Sequence, residues 1–321
     1  MKSLARLTCA LSLCALASSA QEPNRKPGEY KLGPDSLPQA GVPQGKLEGP
    51  LLFRSQIFTN TVRQYWIYVP AQYTPDQPAN VLVFQDGQRA TKTNGALRVP
   101  QVLENLIAKK EIPTTIGIFI TPGQRGEVYQ EAGGGNPNNR SFEYDSLNDN
   151  YARFICEEML PEVGKKYNLT KDPEARAIGG TSSGAICAFT VAWQRPDEFR
   201  NVISMIGSYT SIAYRPGRDG QPMILGGDLY PTLIRKTPIK PIRIFLQDGS
   251  NDLNNDHGSW FLANQQVLSA LEYANSKAER DKTSGPRYRI KHEWGDGNHS
   301  DNHGGAILPD ILRWMWKEQV K

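Results

Sequence analysis

Apolar residues run together without polar alternation at 81–84, 115–120, 202–207 and 242–246, and stretches with helical spacing lie between them at 99–109, 145–166, 185–193, 261–274 and 307–318. Strands that are apolar on both sides are covered on both faces, so this pattern predicts a parallel sheet with helices packed on either side. Residues 51–58 and 62–69 are two further strand-like runs, separated by Thr59-Asn60-Thr61 and closed by Pro70. They predict an antiparallel hairpin at the sheet edge. A last strand is expected at 288–294. The whole describes an α/β chain with an open, doubly wound, mostly parallel sheet and an antiparallel N-terminal hairpin. No internal repeat is visible.

The chain is 321 residues long, which one α/β domain with extensions accounts for. Residues 1–20 carry a charged start (Lys2, Arg6), a short apolar run and small residues at Ser18-Ser19-Ala20, the pattern of a cleavable secretory signal and too short for a membrane span. Export as a secreted or periplasmic protein is expected. Residues 21–50, rich in proline, glycine and charge, read as a linker or an arm laid over the domain at 51–321. With 37 basic against 33 acidic residues and no long basic run, the composition gives no reason to expect a nucleic-acid partner. Loss of the leader would remove Cys9 and Cys14. Cys156 and Cys187 remain, both in apolar helical stretches, as buried thiols or as a disulfide.

Candidate chemistry centres on Gly180-Thr181-Ser182-Ser183-Gly184, a G-x-S-x-G sequence between a short strand-like lead and an apolar helix. A strand that turns at once into a helix strains the backbone and leaves no room for large neighbours, and the serine hydroxyl then stands clear of the sheet. A serine needs a base to take its proton. The four histidines, His257, His292, His299 and His303, all follow Ser182. His292 sits in a strand pattern and His257 in a loop near acidic residues. His299 and His303 occupy a glycine-bounded loop at 295–305, where a base could reach the carboxyl edge of the sheet, and His299 is preferred because it follows the strand directly. For the acid, Asp252 reaches furthest into the loop after the strand at 242–246, with Asp256 second; Asp248, still near the strand, reads as a turn cap. Two oxyanion donors are expected from backbone amides: Ser183, opening the elbow helix, and Gln88, in the turn Asp86-Gly87-Gln88.

Taken with Glu143-Tyr144, Glu157-Glu158-Met159-Leu160-Pro161 and Gly249-Ser250-Asn251-Asp252, these residues give a chain that resembles the enterochelin-esterase-like branch of the esterase family, close to the feruloyl and acetyl xylan esterases. The resemblance runs in order from about 51 to 316. It implies an α/β-hydrolase fold, no cofactor, an acyl-serine intermediate, and Ser182, His299 and Asp252 as nucleophile, base and acid. A small-molecule or polysaccharide-linked ester is the implied partner, its identity set by loops at 121–139 and 211–232. Two other functions compete. One is a metal-dependent hydrolase using His299 and His303, whose spacing lacks the glutamate of a H-E-x-x-H site because Ser300 stands there. The other is a non-catalytic carbohydrate-binding member of the fold.

Overall fold

The computed structural model describes residue 26 and residues 28–130, 138–218 and 220–320. The leader pattern at 1–20 and part of the 121–139 loop lie outside them. Among the described residues the strands are β1 (Lys46–Arg54), β2 (Thr61–Val69), β3 (Asn80–Gln85), β4 (Thr115–Ile120), β5 (Gln124–Arg125), β6 (Arg176–Thr181), β7 (Asn201–Met205), β8 (Arg243–Asn251), β9 (Asn254–Asn255), β10 (Gly258–Ser259) and β11 (Arg289–Asn298). The main sheet runs β1-β2-β4-β3-β6-β7-β8-β11, with β5 beside β2. Strands β1 and β2 pair antiparallel, β2 meets β4 antiparallel, and the rest from β4 to β11 are parallel.

Helices follow the strands as α1 (Gly87–Ala90), α2 (Val99–Ala108), α3 (Arg140–Tyr144), α4 (Asn150–Arg153), α5 (Leu160–Gly164), α6 (Ser183–Gln194), α7 (Tyr230–Lys236), α8 (Trp260–Arg280) and α9 (Asp301–Trp316). Side chains alternate across each strand. Val81 and Val83 join Ile178 and Ile244 in one core with α6 and α8, while Leu82 and Phe84 join Ile203 and Phe245 in a second core with α2 and α9. Both faces of the sheet are thus covered, which explains the unbroken apolar strands.

Three elements differ from their sequence pattern, each for a local reason. The single helix expected at 145–166 begins at Asn150 and passes through a π-helical turn, Phe154–Met159, before α5. Pro161 has no N–H to complete the regular ladder, and the wider π turn absorbs that gap. The glycine-bounded loop at 295–305 is mostly regular structure: β11 continues to Asn298 and α9 starts at Asp301, six residues earlier than the apolar period suggested. Gly304 and Gly305 lie in the helix, where a Cβ on the first would press on Met205, and one on the second on the Ala96 carbonyl, so they serve close packing and not a turn. Strand β1 begins at Lys46, ahead of the apolar run. Before it, the segment from Tyr30 to Leu37 lies across the domain. Asp35 pairs with Lys109 and Arg313, and the Tyr30 ring stacks on His303 at 4.1 Å. No helix of the described residues is long and apolar enough to cross a membrane.

Candidate active site

Ser182 lies between the end of β6 and the start of α6 with φ 60° and ψ −125°, a strained left-handed conformation for a residue with a side chain. Its flanking glycines make the turn possible: a Cβ on Gly180 would lie 2.6 Å from the Gly184 backbone. His299 follows β11 and Asp252 follows β8, so all three come from carboxyl ends of strands in one half of the sheet. Strand β11 reaches this position through a register shift between Gly295 and Asn298, where it passes so close to β8 that a Cβ on Gly249 would sit 2.5 Å from the Gly297 nitrogen.

The three side chains form one line. His299 Nε2 is 2.9 Å from Ser182 Oγ, and His299 Nδ1 is 2.5 Å from Asp252 Oδ1. The Asp252 side chain is fully buried and the His299 side chain about one-fifth exposed, which leaves the imidazole open to an incoming molecule on one side only. A carboxylate on Nδ1 holds that nitrogen as the N–H donor and turns the Nε2 lone pair toward the hydroxyl. Such a line can move a proton from serine to imidazole.

The turn Asp86-Gly87-Gln88 stands beside the elbow, since β3 and β6 are neighbours and a Cβ on Gly184 would meet the Gln85 side chain at 3.1 Å. Asp86 adopts φ 56°, and a Cβ on Gly87 would strike the β4 backbone at 2.5 Å. Gln88 and Ser183 therefore place their N–H groups in the first turns of α1 and α6, where backbone amides lack intrahelical acceptors. Asp86 is buried and held by Arg140 through Nε at 2.9 Å and Nη2 at 2.7 Å, a partner that keeps Arg140 firmly protonated despite its burial. Ser141 Oγ donates to Asp145 Oδ2 at 2.7 Å, and burial pushes the Asp145 pKa up.

The remaining sequence candidates lie apart from this line. His303 is buried in α9, with Nδ1 2.9 Å from Gln247 Nε2 and Nε2 3.5 Å from Glu293 Oε1. Its ring and that of His299 face different partners. Asp256 and His257 are exposed in the turn between β9 and β10, and His292 is exposed on β11, tilted against Trp294. Among the described residues no group of three His, Cys, Asp or Glu side chains is placed to hold a metal ion. Cys156 and Cys187 are free thiols.

Three further residues belong to the site, two of them, Ser208 and Trp260, without any signal in the linear sequence. Ser208, just beyond β7, has its hydroxyl 3.1 Å from Ser182 Oγ. The Trp260 indole N–H donates to Ser208 Oγ at 3.0 Å, and its ring stands edge-on to the His299 ring at 5.7 Å. Asp248 does more than cap its turn. Its Oδ1 accepts the Gly249 N–H at 2.7 Å and its Oδ2 accepts from Asn264 Nδ2 at 2.6 Å; burial, with the neighbouring Asp252 carboxylate adding to it, pushes its pKa up to about 9.

A family model described as "Putative esterase" matches residues 56–298. The chain belongs to this esterase family. Its fold is that of the α/β-hydrolase esterases. The enterobactin esterase of Shigella flexneri, solved in the presence of 2,3-dihydroxy-N-benzoyl-glycine, superposes with a TM-score of 0.63 at 20% identity over 90% of this chain and 64% of that one. A mutant feruloyl esterase module from Clostridium thermocellum, complexed with sinapinate, superposes with a TM-score of 0.58 at 16% identity over 93% of this chain and 98% of that one. The uncharacterized protein YbbA of Bacillus subtilis is 23% identical over 46% of this chain and 57% of its own length. The chain thus spans less than two thirds of the first two relatives of each kind, YbbA and the enterobactin esterase.

Proposed function

We propose that this member of the esterase family is an exported serine carboxylic ester hydrolase that acts on esters of an aromatic acid, of the feruloyl or catechol-siderophore kind. The observation that carries the chemistry is the unbroken line Ser182–His299–Asp252, at 2.9 and 2.5 Å. His299 Nε2 takes the Ser182 proton as Oγ attacks the ester carbonyl, and the Ser183 and Gln88 amides receive the oxyanion. The imidazolium, steadied by Asp252, gives its proton to the leaving alcohol as the C–O bond breaks. Water then enters by the same route, returning a proton to His299, and frees the acid and Ser182.

An apolar cavity of about 620 Å³, lined by Phe142, Leu147, Met223, Ile224 and Leu225 with Arg215 among them, supports an aromatic acyl group. Its wall includes Ser141, the neighbour of the Arg140 that holds Asp86 in the turn beside the elbow. The enterobactin and feruloyl esterases to which the fold is similar were both solved with aromatic acid derivatives. Export rests on the charged, apolar and small-residue pattern at 1–20.

The test is hydrolysis of a short aryl ester by the mature protein, with stoichiometric fluorophosphonate labelling of Ser182. A carbohydrate-binding protein without an activated hydroxyl would take no label. Full activity in Ser182→Ala would overturn the proposal. Feruloyl, acetyl-xylose and trilactone siderophore esters assayed side by side decide the acyl group.

A further inference from the structure

Two hydroxyls, an indole and an imidazole meet at the elbow, and the chemistry of one of them sets the direction of the others. Trp260 opens α8 and is buried, as is Ser208. An indole N–H can only donate, so Ser208 Oγ accepts from Trp260. The distance of 3.1 Å between Ser208 Oγ and Ser182 Oγ leaves either one free to be the donor. If Ser182 gave its proton to Ser208, the buried Ser208 O–H would need an acceptor, and among the described residues its oxygen has, beyond Trp260, only Ser182 within reach. A buried hydroxyl without an acceptor is costly. Ser208 therefore donates to Ser182 Oγ, and the Ser182 proton is left for His299 Nε2.

The opposite end gives the same direction. Asp252 accepts the His299 Nδ1 proton and so leaves a lone pair on Nε2. Every hydrogen bond from Trp260 to Asp252 points the same way, through Ser208, Ser182 and His299.

We infer that Trp260 and Ser208 are positioning residues, in which an indole N–H acting through a second hydroxyl keeps the Ser182 proton on the line to His299, a role that rests on Ser182 being the nucleophile. Proton transfer needs the hydroxyl hydrogen on the base at the moment of attack. Without the indole, water entering where its nitrogen stood can accept the Ser208 hydrogen, and Ser208 is then free to turn and accept the Ser182 hydrogen, which diverts it from the imidazole. The Ser208 donor also faces Oγ as negative charge gathers there, so the bond strengthens when the proton leaves.

Trp260→Phe keeps a ring against His299 and removes only the donor, while Ser208→Ala removes both the donor to Ser182 and the atom that could divert its proton. With a short aryl ester, Trp260→Phe is expected to lower kcat by about tenfold and Ser208→Ala by about threefold, each with KM within about twofold. The double variant separates positioning from plain support. With no hydroxyl left at 208 to divert the proton, its kcat should lie at or above that of Trp260→Phe, whereas losses of packing would multiply. A double variant below Trp260→Phe, or Trp260→Phe within twofold of the wild type, overturns the inference. If Trp260→Phe fails to fold, Ser208→Ala decides by itself, and an unchanged kcat overturns it. Activity surviving in Ser182→Ala would instead sink the serine mechanism, an outcome distinct from these.

Discussion

Asp248 and Asp252 meet carboxyl to carboxyl behind the imidazole of His299. Asp252 Oδ1 accepts from His299, its buried Oδ2 has no hydrogen-bond partner among the described residues, and burial together with the Asp252 charge favours the protonated form of Asp248 beside it. That proton is held in the folded chain and lost in the unfolded one between the ordinary carboxylate range and about pH 9. The folded state binds the extra proton throughout this window, so stability falls as the pH rises through it and levels off above about 9. Asp248→Asn should flatten this part of a denaturant-unfolding profile against pH. It should also cost a few-fold in activity, because its NH2 takes the place of an oxygen that accepts from Gly249 or Asn264. Asp248→Ala, with no donor, should lose about tenfold in kcat.

Arg63 and Glu143 form an ion pair with both side chains fully buried, at 2.8 and 3.1 Å, and the guanidinium lies over the Phe154 ring at 4.1 Å. Removing one partner strands the other charge. Arg63→Met should cost about 3–5 kcal/mol in urea unfolding, and adding Glu143→Leu should recover part of that loss. An Arg63→Met protein as stable as the wild type would contradict this, the Asn139 and Gly123 donors to Glu143 then sufficing.

Gly305 and Gly164 are both helical and should respond to alanine in opposite senses. A Cβ at 305 runs into the Ala96 carbonyl group, with its carbon 2.7 Å away, and both belong to backbone that cannot rotate aside. Gly305→Ala should lower stability by about 1–3 kcal/mol or more. A Cβ at the exposed Gly164 meets nothing within 4 Å, so Gly164→Ala should raise stability by about 0.5–1 kcal/mol. Thermal or denaturant melts of the two variants decide both signs.

Phe142 and Ile224 are exposed apolar side chains lining the 620 Å³ cavity. If an aromatic acyl group rests there, Phe142→Ala should raise KM for a feruloyl ester by about tenfold or more, from the loss of about 1.5–3 kcal/mol of apolar burial. The KM for an acetyl ester, too small to reach the cavity, should stay within twofold. Equal effects on both esters would place the acyl group elsewhere.

Much of the architecture was legible because its causes are local. Unalternating runs such as 81–84 and 202–207 can lie only in strands covered on both faces, and they do. The same kind of local rule misled at 295–305, where glycines suggested a loop. Gly304 and Gly305 serve close approach of α9 to Met205 and Ala96, and neither contact is near in sequence. Asp248 suggested a turn cap, which its bond to Gly249 is; its contacts with Asn264 and Asp252 depend on α8 packing over β8. Ser208 and Trp260 are unremarkable in the chain and meet only because β7 lies between β6 and β8.

By itself the sequence determined the elbow and the layered plan, since a serine at positive φ needs its glycine neighbours and a doubly covered strand needs apolar residues on both sides. Tertiary structure alone decided which imidazole faces Ser182. His299 and His303 stand four residues apart, and the register shift of β11 against β8 turns one toward the hydroxyl while helix α9 buries the other beneath Tyr30. Such choices come from pairings between segments far apart in the chain, whose order in the sheet no short stretch of residues encodes.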